Sequence, residues 1–300
     1  MSGETTPHLS FGGFDEDDEP TQLAGIDLPD GMELVGRLGE GGMGEVFLVR
    51  DRALGRELAL KTIRSRRWRE IHAERFEREA RTTANLQHPG IIAIHGYGTL
   101  PDGRPWFTMP AIRGRELAHL LADRKRSGAP DLRAIIRILR RAAEPLAYAH
   151  VRGVVHRDVK PTNIMLGEHG EVLVLDWGLA RPSDAMDVPH PGLPESVDSP
   201  SLTRTGALLG TPIYMAPEQV GYGRITPRTD VYALGAVLYE VLQGHPPRRG
   251  EVKDVLAATL GGRPFRRPEG PPALVDLALD CLAHEPEERP ANAAEVGETL

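Results

Sequence analysis

Short polar and glycine-rich motifs follow one another in a fixed order along this chain, each at the edge of an apolar stretch. They run from Gly39-Glu40-Gly41-Gly42-Met43-Gly44 through Lys61, His156-Arg157-Asp158 and Asp176-Trp177-Gly178 to Ala216-Pro217-Glu218. Any one of them is weak. The series constrains the fold because it demands a glycine turn between strands, a cation inside a strand, and carboxylates delivered at the ends of apolar segments.

The pattern around these motifs divides the chain. From Met32 to Arg64, short β-type stretches such as Glu33-Leu34-Val35-Gly36-Arg37-Leu38 and Glu45-Val46-Phe47-Leu48-Val49 alternate with glycines, which predicts strands joined by tight turns. A charged helix follows between Trp68 and Leu86, with Phe76, Ala80, Thr83 and Ala84 on one face, and His88-Pro89 stops it. Strands resume up to Met109. Beyond Gly114 long amphipathic helices take over, one from Leu132 to Arg152 with Ile135, Ile136, Leu139, Ala143 and Leu146 near one stripe, another over roughly Asp230 to Leu242. The expected architecture is α+β in two lobes, a small β-rich lobe with one helix over 32–113 and a larger, mainly helical lobe over 114–298. A cleft between lobes is a usual place for a ligand. Residues 1–31 carry the acidic run Asp15-Glu16-Asp17-Asp18-Glu19 and read as a disordered tail.

Composition excludes several classes. Cys281 is the only cysteine, so no intramolecular disulfide forms and a reducing cytoplasm suits the chain. No basic-then-apolar leader is present, and no apolar run reaches the ~18 residues of a membrane span. The formal net charge of −7 argues against general nucleic-acid binding, and the basic residues Arg64, Arg66, Arg67 and Arg69 read as a solvated helix entry.

The chemistry lies in the motifs. Gly39, Gly41 and Gly44 give a G-x-G-x-x-G turn whose backbone amides can approach phosphate oxygens with no Cβ in the way. A dinucleotide-binding turn would need a helix to open at these glycines, whereas Val46-Phe47-Leu48-Val49 continues as a strand. Lys61, in the apolar strand Leu58-Ala59-Leu60-Lys61, needs a partner for its buried charge, and Glu79 is the candidate ahead of Glu74 and Glu77. The segment His156-Arg157-Asp158-Val159-Lys160-Pro161-Thr162-Asn163 matches H-R-D-x-x-x-x-N. There Asp158 can accept the proton of an attacking hydroxyl, Lys160 can neutralise a transferring phosphoryl group, and the Asn163 amide oxygen can ligate Mg²⁺. His156 reads as a packing residue and not a base. Asp176 follows Val172-Leu173-Val174-Leu175, so its carboxylate reaches a strand end where a metal on the phosphates can be held.

On these motifs residues 32–298 resemble a bacterial member of the eukaryotic-like (Hanks-type) serine/threonine protein kinases. The resemblance implies that ATP and Mg²⁺ are used and that protein hydroxyls are the acceptors. It implies nucleotide contacts from Leu38, Gly39, Glu40, Gly41, Gly42, Met43, Gly44, Val46 and Lys61. Ala59 and Met165 would sandwich the adenine, Met109 would be the gatekeeper, and Ile112 would supply the hinge donor. Asp158 would be the catalytic base, with Asn163 and Asp176 on magnesium. Glu218, Asp230 and Arg289 match the family's structural anchors, the first and last as a buried ion pair. Dimerisation through the small lobe is a family habit.

The chain departs from the family pattern twice. Trp177 stands where most members have phenylalanine, a larger anchor under the control helix. Pro110 in the hinge Met109-Pro110-Ala111-Ile112 keeps its carbonyl and lacks only N–H. Lys160 two residues after Asp158, together with Gly210-Thr211-Pro212, favours serine and threonine over tyrosine as acceptors. The proline- and serine-rich stretch between Asp176 and Glu218 reads as mobile until ordered, and Thr203 or Thr205 is the expected phosphorylation site, with Arg157 as the cation that pairs with the phosphate. Two rivals stand beside this reading. A pseudokinase would have lost Lys61, Asp158 or Asp176, and a small-molecule phosphotransferase would not need the peptide-holding segment from Gly210 to Glu218.

Overall fold

The computed structural model describes residues 26–40, 44–64, 70–127, 131–182 and 212–300. Residues 1–25, Gly41, Gly42, Met43, Arg66, Arg67, Arg69, Thr203, Thr205 and Thr211 lie outside these, and so do the expectations attached to them. Two compact units emerge. Of the described residues, one comprises those up to Gln87 with Ile92–Arg115 and Gly167–Gly170; the other comprises those in His88–Ile91, Glu116–Leu166 and Glu171–Leu300.

The smaller unit is built on strands β1 (Met32–Glu40), β2 (Gly44–Asp51), β3 (Arg56–Ile63), β4 (Gly96–Thr99) and β5 (Pro105–Pro110), with helix α1 (Glu70–Ala84) between β3 and β4. They form a five-stranded sheet in the order β1-β2-β3-β5-β4, each neighbouring pair antiparallel. Period-two alternation divides β3 between two clusters. Leu58 and Leu60 pack with Phe47 and Val49 on one face, while Ile63 joins Phe76 and Ala80 of α1 and Phe107 of β5 on the other. Lys61, two residues from both Ala59 and Ile63, shares the second face.

Two expectations shift here. Ile26 and Leu28 pack against the Phe47–Leu60 cluster, so the packed chain begins before the expected tail boundary at residue 31: two apolar side chains find apolar surface. The buried stripe of α1 is Phe76, Glu79, Ala80 and Thr83, at i, i+3, i+4 and i+7. Ala84 is exposed, because the helix ends there and its Cβ no longer continues the stripe.

Strand β6 (Gly114–Glu116) leads into the larger unit, which runs through α2 (Leu117–Ser127), α3 (Leu132–Val151), β7 (Val154–Val155), β8 (Ile164–Gly167), β9 (Val172–Val174), β10 (Arg181–Pro182), α4 (Pro217–Val220), α5 (Pro227–Gln243), α6 (Val252–Leu260), α7 (Pro272–Cys281) and α8 (Ala293–Thr299). Helix α3 starts where Asp131 caps it by accepting from the Ala134 N–H, and it ends one residue before the expected Arg152, which is its C-cap. Its expected stripe is buried throughout. Helix α5 begins at Pro227, ahead of the expected Asp230, because a proline in the first turn needs no N–H partner and the Thr229 hydroxyl accepts from the Thr226 N–H at 3.2 Å. Nearly every residue from Thr229 to Val241 is buried, so α5 is the axle of this unit.

Candidate active site

The site residues are distributed over both units. In the smaller unit, Lys61 Nζ donates to Glu79 Oε1 at 2.6 Å, and the two side chains are 19% and 5% exposed. The same ammonium lies 5.7 Å from the Phe107 ring centre. Glu74 is exposed, and Glu77 pairs instead with Arg81 on the helix surface. Gly39 and Glu40 lie at the end of β1 opposite Val46 and Glu45. A Cβ on Gly44 would come within 2.5 Å of the Thr62 carbonyl oxygen, so this glycine also permits the close approach of β2 to β3. Leu38 and Ala59 are buried, Val46, Met109 and Ile112 half-buried, and Met109 lies opposite Ala59 in the sheet.

In the larger unit the loop after β7 carries the densest polar geometry. Lys160 Nζ donates to Asp158 Oδ2 at 2.7 Å, while Asn163 Nδ2 donates to the Asp158 carbonyl at 2.8 Å and to Oδ2 at 3.1 Å. The Asn163 amide nitrogen is thereby committed to Asp158, leaving Oδ1 as the atom offered to a hard cation. Asn163 also accepts the Leu175 N–H on its own carbonyl at 2.8 Å, which brings the residue before Asp176 against it. Met165 is buried on β8. Burial pushes the Asp158 carboxyl up; Lys160 pulls it down and Asp176 pushes it up again, and the balance lies above the ordinary carboxylate value.

Two residues here hold left-handed backbone without being glycine, Arg157 at φ 72° and Asp176 at φ 62°. Arg157 is clamped on both sides. Its N–H donates to Asp230 Oδ1 at 2.8 Å, and its carbonyl accepts from Gln219 Nε2 at 2.8 Å. Asp230 is fully buried and also takes the His156 N–H and the His150 Nε2–H, each at 2.8 Å. The Ala293 N–H donates to His150 Nδ1 at 3.3 Å, which fixes the His150 proton on Nε2. Burial pushes the Asp230 carboxyl up, but the hydrogen bond and proximity of His150, with the Arg157 N–H, outweigh it and hold Asp230 below the usual range. His156, expected to pack, is buried with both ring nitrogens engaged: Nε2–H donates to the Leu175 carbonyl at 3.0 Å, and Nδ1 accepts the Asp158 N–H at 3.2 Å.

His150 and Gln219 were not legible as contributors. The one is an ordinary helix residue in sequence, the other follows Ala-Pro-Glu, and only their long-range partners give them a role. Arg289 and Glu218 meet in a two-point pair, Nη1 to Oε1 at 2.8 Å and Nη2 to Oε2 at 3.0 Å.

A family model described as the protein kinase domain matches residues 32–298. The chain is 35% identical over 292 residues to the serine/threonine-protein kinase PknD of Chlamydia muridarum, covering 89% of this chain and 31% of that protein. It is 36% identical to the DNA damage-responsive serine/threonine-protein kinase RqkA of Deinococcus radiodurans, over 87% of this chain and 38% of the relative. With the serine/threonine-protein kinase PknB of Mycobacterium leprae it shares 37% identity, over 90% and 42% respectively. The chain thus spans between about a third and two fifths of these relatives' lengths.

Proposed function

Since the chain belongs to the protein kinase family, we propose that it transfers the γ-phosphoryl group of Mg-ATP to serine and threonine hydroxyls of proteins, in the cytoplasm, as part of bacterial signal transduction. The observation that carries this reading is the Asp158–Lys160–Asn163 cluster. A carboxylate made more basic by burial sits there beside a cation and an amide, which suits removal of a hydroxyl proton next to a highly charged phosphate.

Asp158 orients the acceptor hydroxyl and takes its proton as the oxygen bonds to the γ-phosphorus and the bond to the β-phosphate bridge breaks. Lys160, held at Asp158, offsets negative charge on the transferring group. Lys61, paired with Glu79, holds nucleotide phosphates, and the glycine-rich segment would offer backbone amides to them. Ala59, Met109, Ile112 and Met165 supply adenine contacts. Among the described residues no cluster of three or more His, Cys, Asp or Glu side chains is placed to cage a metal. The Asn163 amide oxygen and the Asp176 carboxylate are hard oxygen donors of the kind magnesium takes, and they would hold that ion. When bound, that ion would neutralise and align the phosphates. Phosphorylation at Thr203 or Thr205, paired with Arg157, would switch the enzyme on, and self-association through the smaller unit would bring two copies together for it. Among the described residues no helix is long and apolar enough to cross a membrane.

Intact-mass measurement and phosphopeptide mapping after incubation with Mg-ATP and a generic protein acceptor test the reading. Phosphoserine or phosphothreonine is expected, and on the chain itself phosphate at Thr203 or Thr205. Full activity in a Thr203→Ala, Thr205→Ala double variant would exclude the proposed switch. The rate should also depend on pH in a defined direction. Asp158 must be ionised to act and its carboxyl is pushed up, so log kcat should fall with acidification through an inflection above the ordinary value of about 3.9.

A further inference from the structure

Trp177 does more than fill the place of the usual phenylalanine. Its ring is 1% exposed and lies 4.6 Å from the His156 ring at an interplanar angle of 59°. A phenylalanine could occupy that contact. The indole adds a donor: Nε1–H reaches the Val174 carbonyl at 3.1 Å. Val174 is the last residue of β9, and the bond closes over Leu175 and Asp176, the two residues between.

Those two residues are tied from other directions as well. The Leu175 N–H donates to the Asn163 carbonyl at 2.8 Å, and its carbonyl accepts from His156 Nε2 at 3.0 Å. Asp176 then takes the left-handed conformation, φ 62° and ψ 69°, and projects an exposed side chain. Left-handed backbone is unfavourable for an aspartate and persists only where its neighbours determine it. On the N-terminal side β9 and His156 do so. On the C-terminal side the fixing element is Trp177, held to the strand it has just left.

We propose that the Trp177 indole N–H is a positioning group, a latch to the Val174 carbonyl that holds Asp176 in its left-handed, metal-facing conformation. The proposal rests on the reading of Asp176 as a magnesium ligand. A phenylalanine at 177 keeps the apolar contact with His156 and loses the latch. Asp176 then samples other backbone conformations, and the metal is held less well although the core remains filled.

The test uses Trp177→Phe and a variant carrying benzothienylalanine at 177, which keeps the bicyclic shape and replaces N–H by sulfur. Two quantities are measured beside the unfolding temperature: the Mg²⁺ concentration for half-maximal enhancement of ATP binding by calorimetry, and amide exchange rates at residues 174–178. Loss of one neutral hydrogen bond should raise both about 3- to 10-fold in each variant, with exchange elsewhere unchanged. Wild-type values in the benzothienylalanine variant would overturn the latch. So would a uniform rise in exchange across the larger unit, which marks Trp177 as core packing alone. If ATP binding ignores Mg²⁺ even in the unmodified chain, the magnesium reading fails, and local exchange at 174–178 still decides whether the latch exists.

Discussion

Replacing Asp158 with asparagine is expected to lower the rate of phosphoryl transfer about 10²–10⁴-fold while leaving the unfolding temperature unchanged or slightly raised. The rate falls because an amide cannot take the hydroxyl proton. Stability holds because the carboxyl is pushed above its ordinary value by burial and by Asp176, Lys160 recovering only part. A group whose folded pKa is raised is less comfortable charged in the folded chain than in the unfolded one, so removing the charge relieves the fold at neutral pH. The asparagine oxygen can still accept from Lys160 Nζ, which now stands 2.7 Å from Oδ2. Rate and unfolding temperature measured on one preparation check both halves; a large fall in stability would mean that the carboxylate is structural.

Arginine 289 should show the opposite pattern, a loss of fold ahead of any loss of chemistry. Its side chain is fully buried and each of its five N–H groups has a partner. Nε donates to the Ala283 carbonyl, Nη1 to Glu218 and the Arg228 carbonyl, and Nη2 to Glu218 and the His284 carbonyl, all between 2.8 and 3.0 Å. Glu218 in turn accepts from the Thr229 hydroxyl at 2.8 Å. Arg289→Ala strands a buried carboxylate and several carbonyls, at a cost of about 3–5 kcal/mol, read as a fall in unfolding temperature on the order of 10 °C. Arg289→Lys should recover little of it, since an ammonium has three donors at one point and cannot reach acceptors arranged around a planar fork. Near-complete recovery by lysine would show that charge alone, and not the fork, is what the site requires.

The parts of this molecule legible in sequence are those where chemistry or solvation restricts the choice of residue. A lysine in an apolar strand demands a carboxylate, and Glu79 falls on the buried stripe of α1 where Glu74 and Glu77 do not. The α3 stripe is legible because 3.6-residue periodicity is local. The Asp230 hub is legible only in part: the resemblance marks Asp230 as an anchor and His156 lies in a motif, but nothing local to His150 ties it to an aspartate 80 residues away. The left-handed turns at Arg157 and Asp176 escape notice for a related reason: residue type alone predicts glycine there, and the strain is supported by groups from other elements. Gly44 shows the converse, a glycine with an evident chemical motive that also has a steric one, the Thr62 carbonyl.

The bonds from Ala293 to His150 and from Arg289 to Glu218 also set an order of events during synthesis. Helix α3 and the loop bearing Asp158 leave the ribosome well over a hundred residues before the groups that orient His150 and neutralise Glu218. At about 5–20 residues per second the nascent chain spends several seconds or longer with those partners unmet. Until residue 293 emerges, His150 lacks the N–H that orients it, and the Asp230 hub beneath the loop is incomplete. Stalling translation just before and just after Ala293, and comparing protease resistance of the two nascent chains, would reveal whether competence arrives at that point.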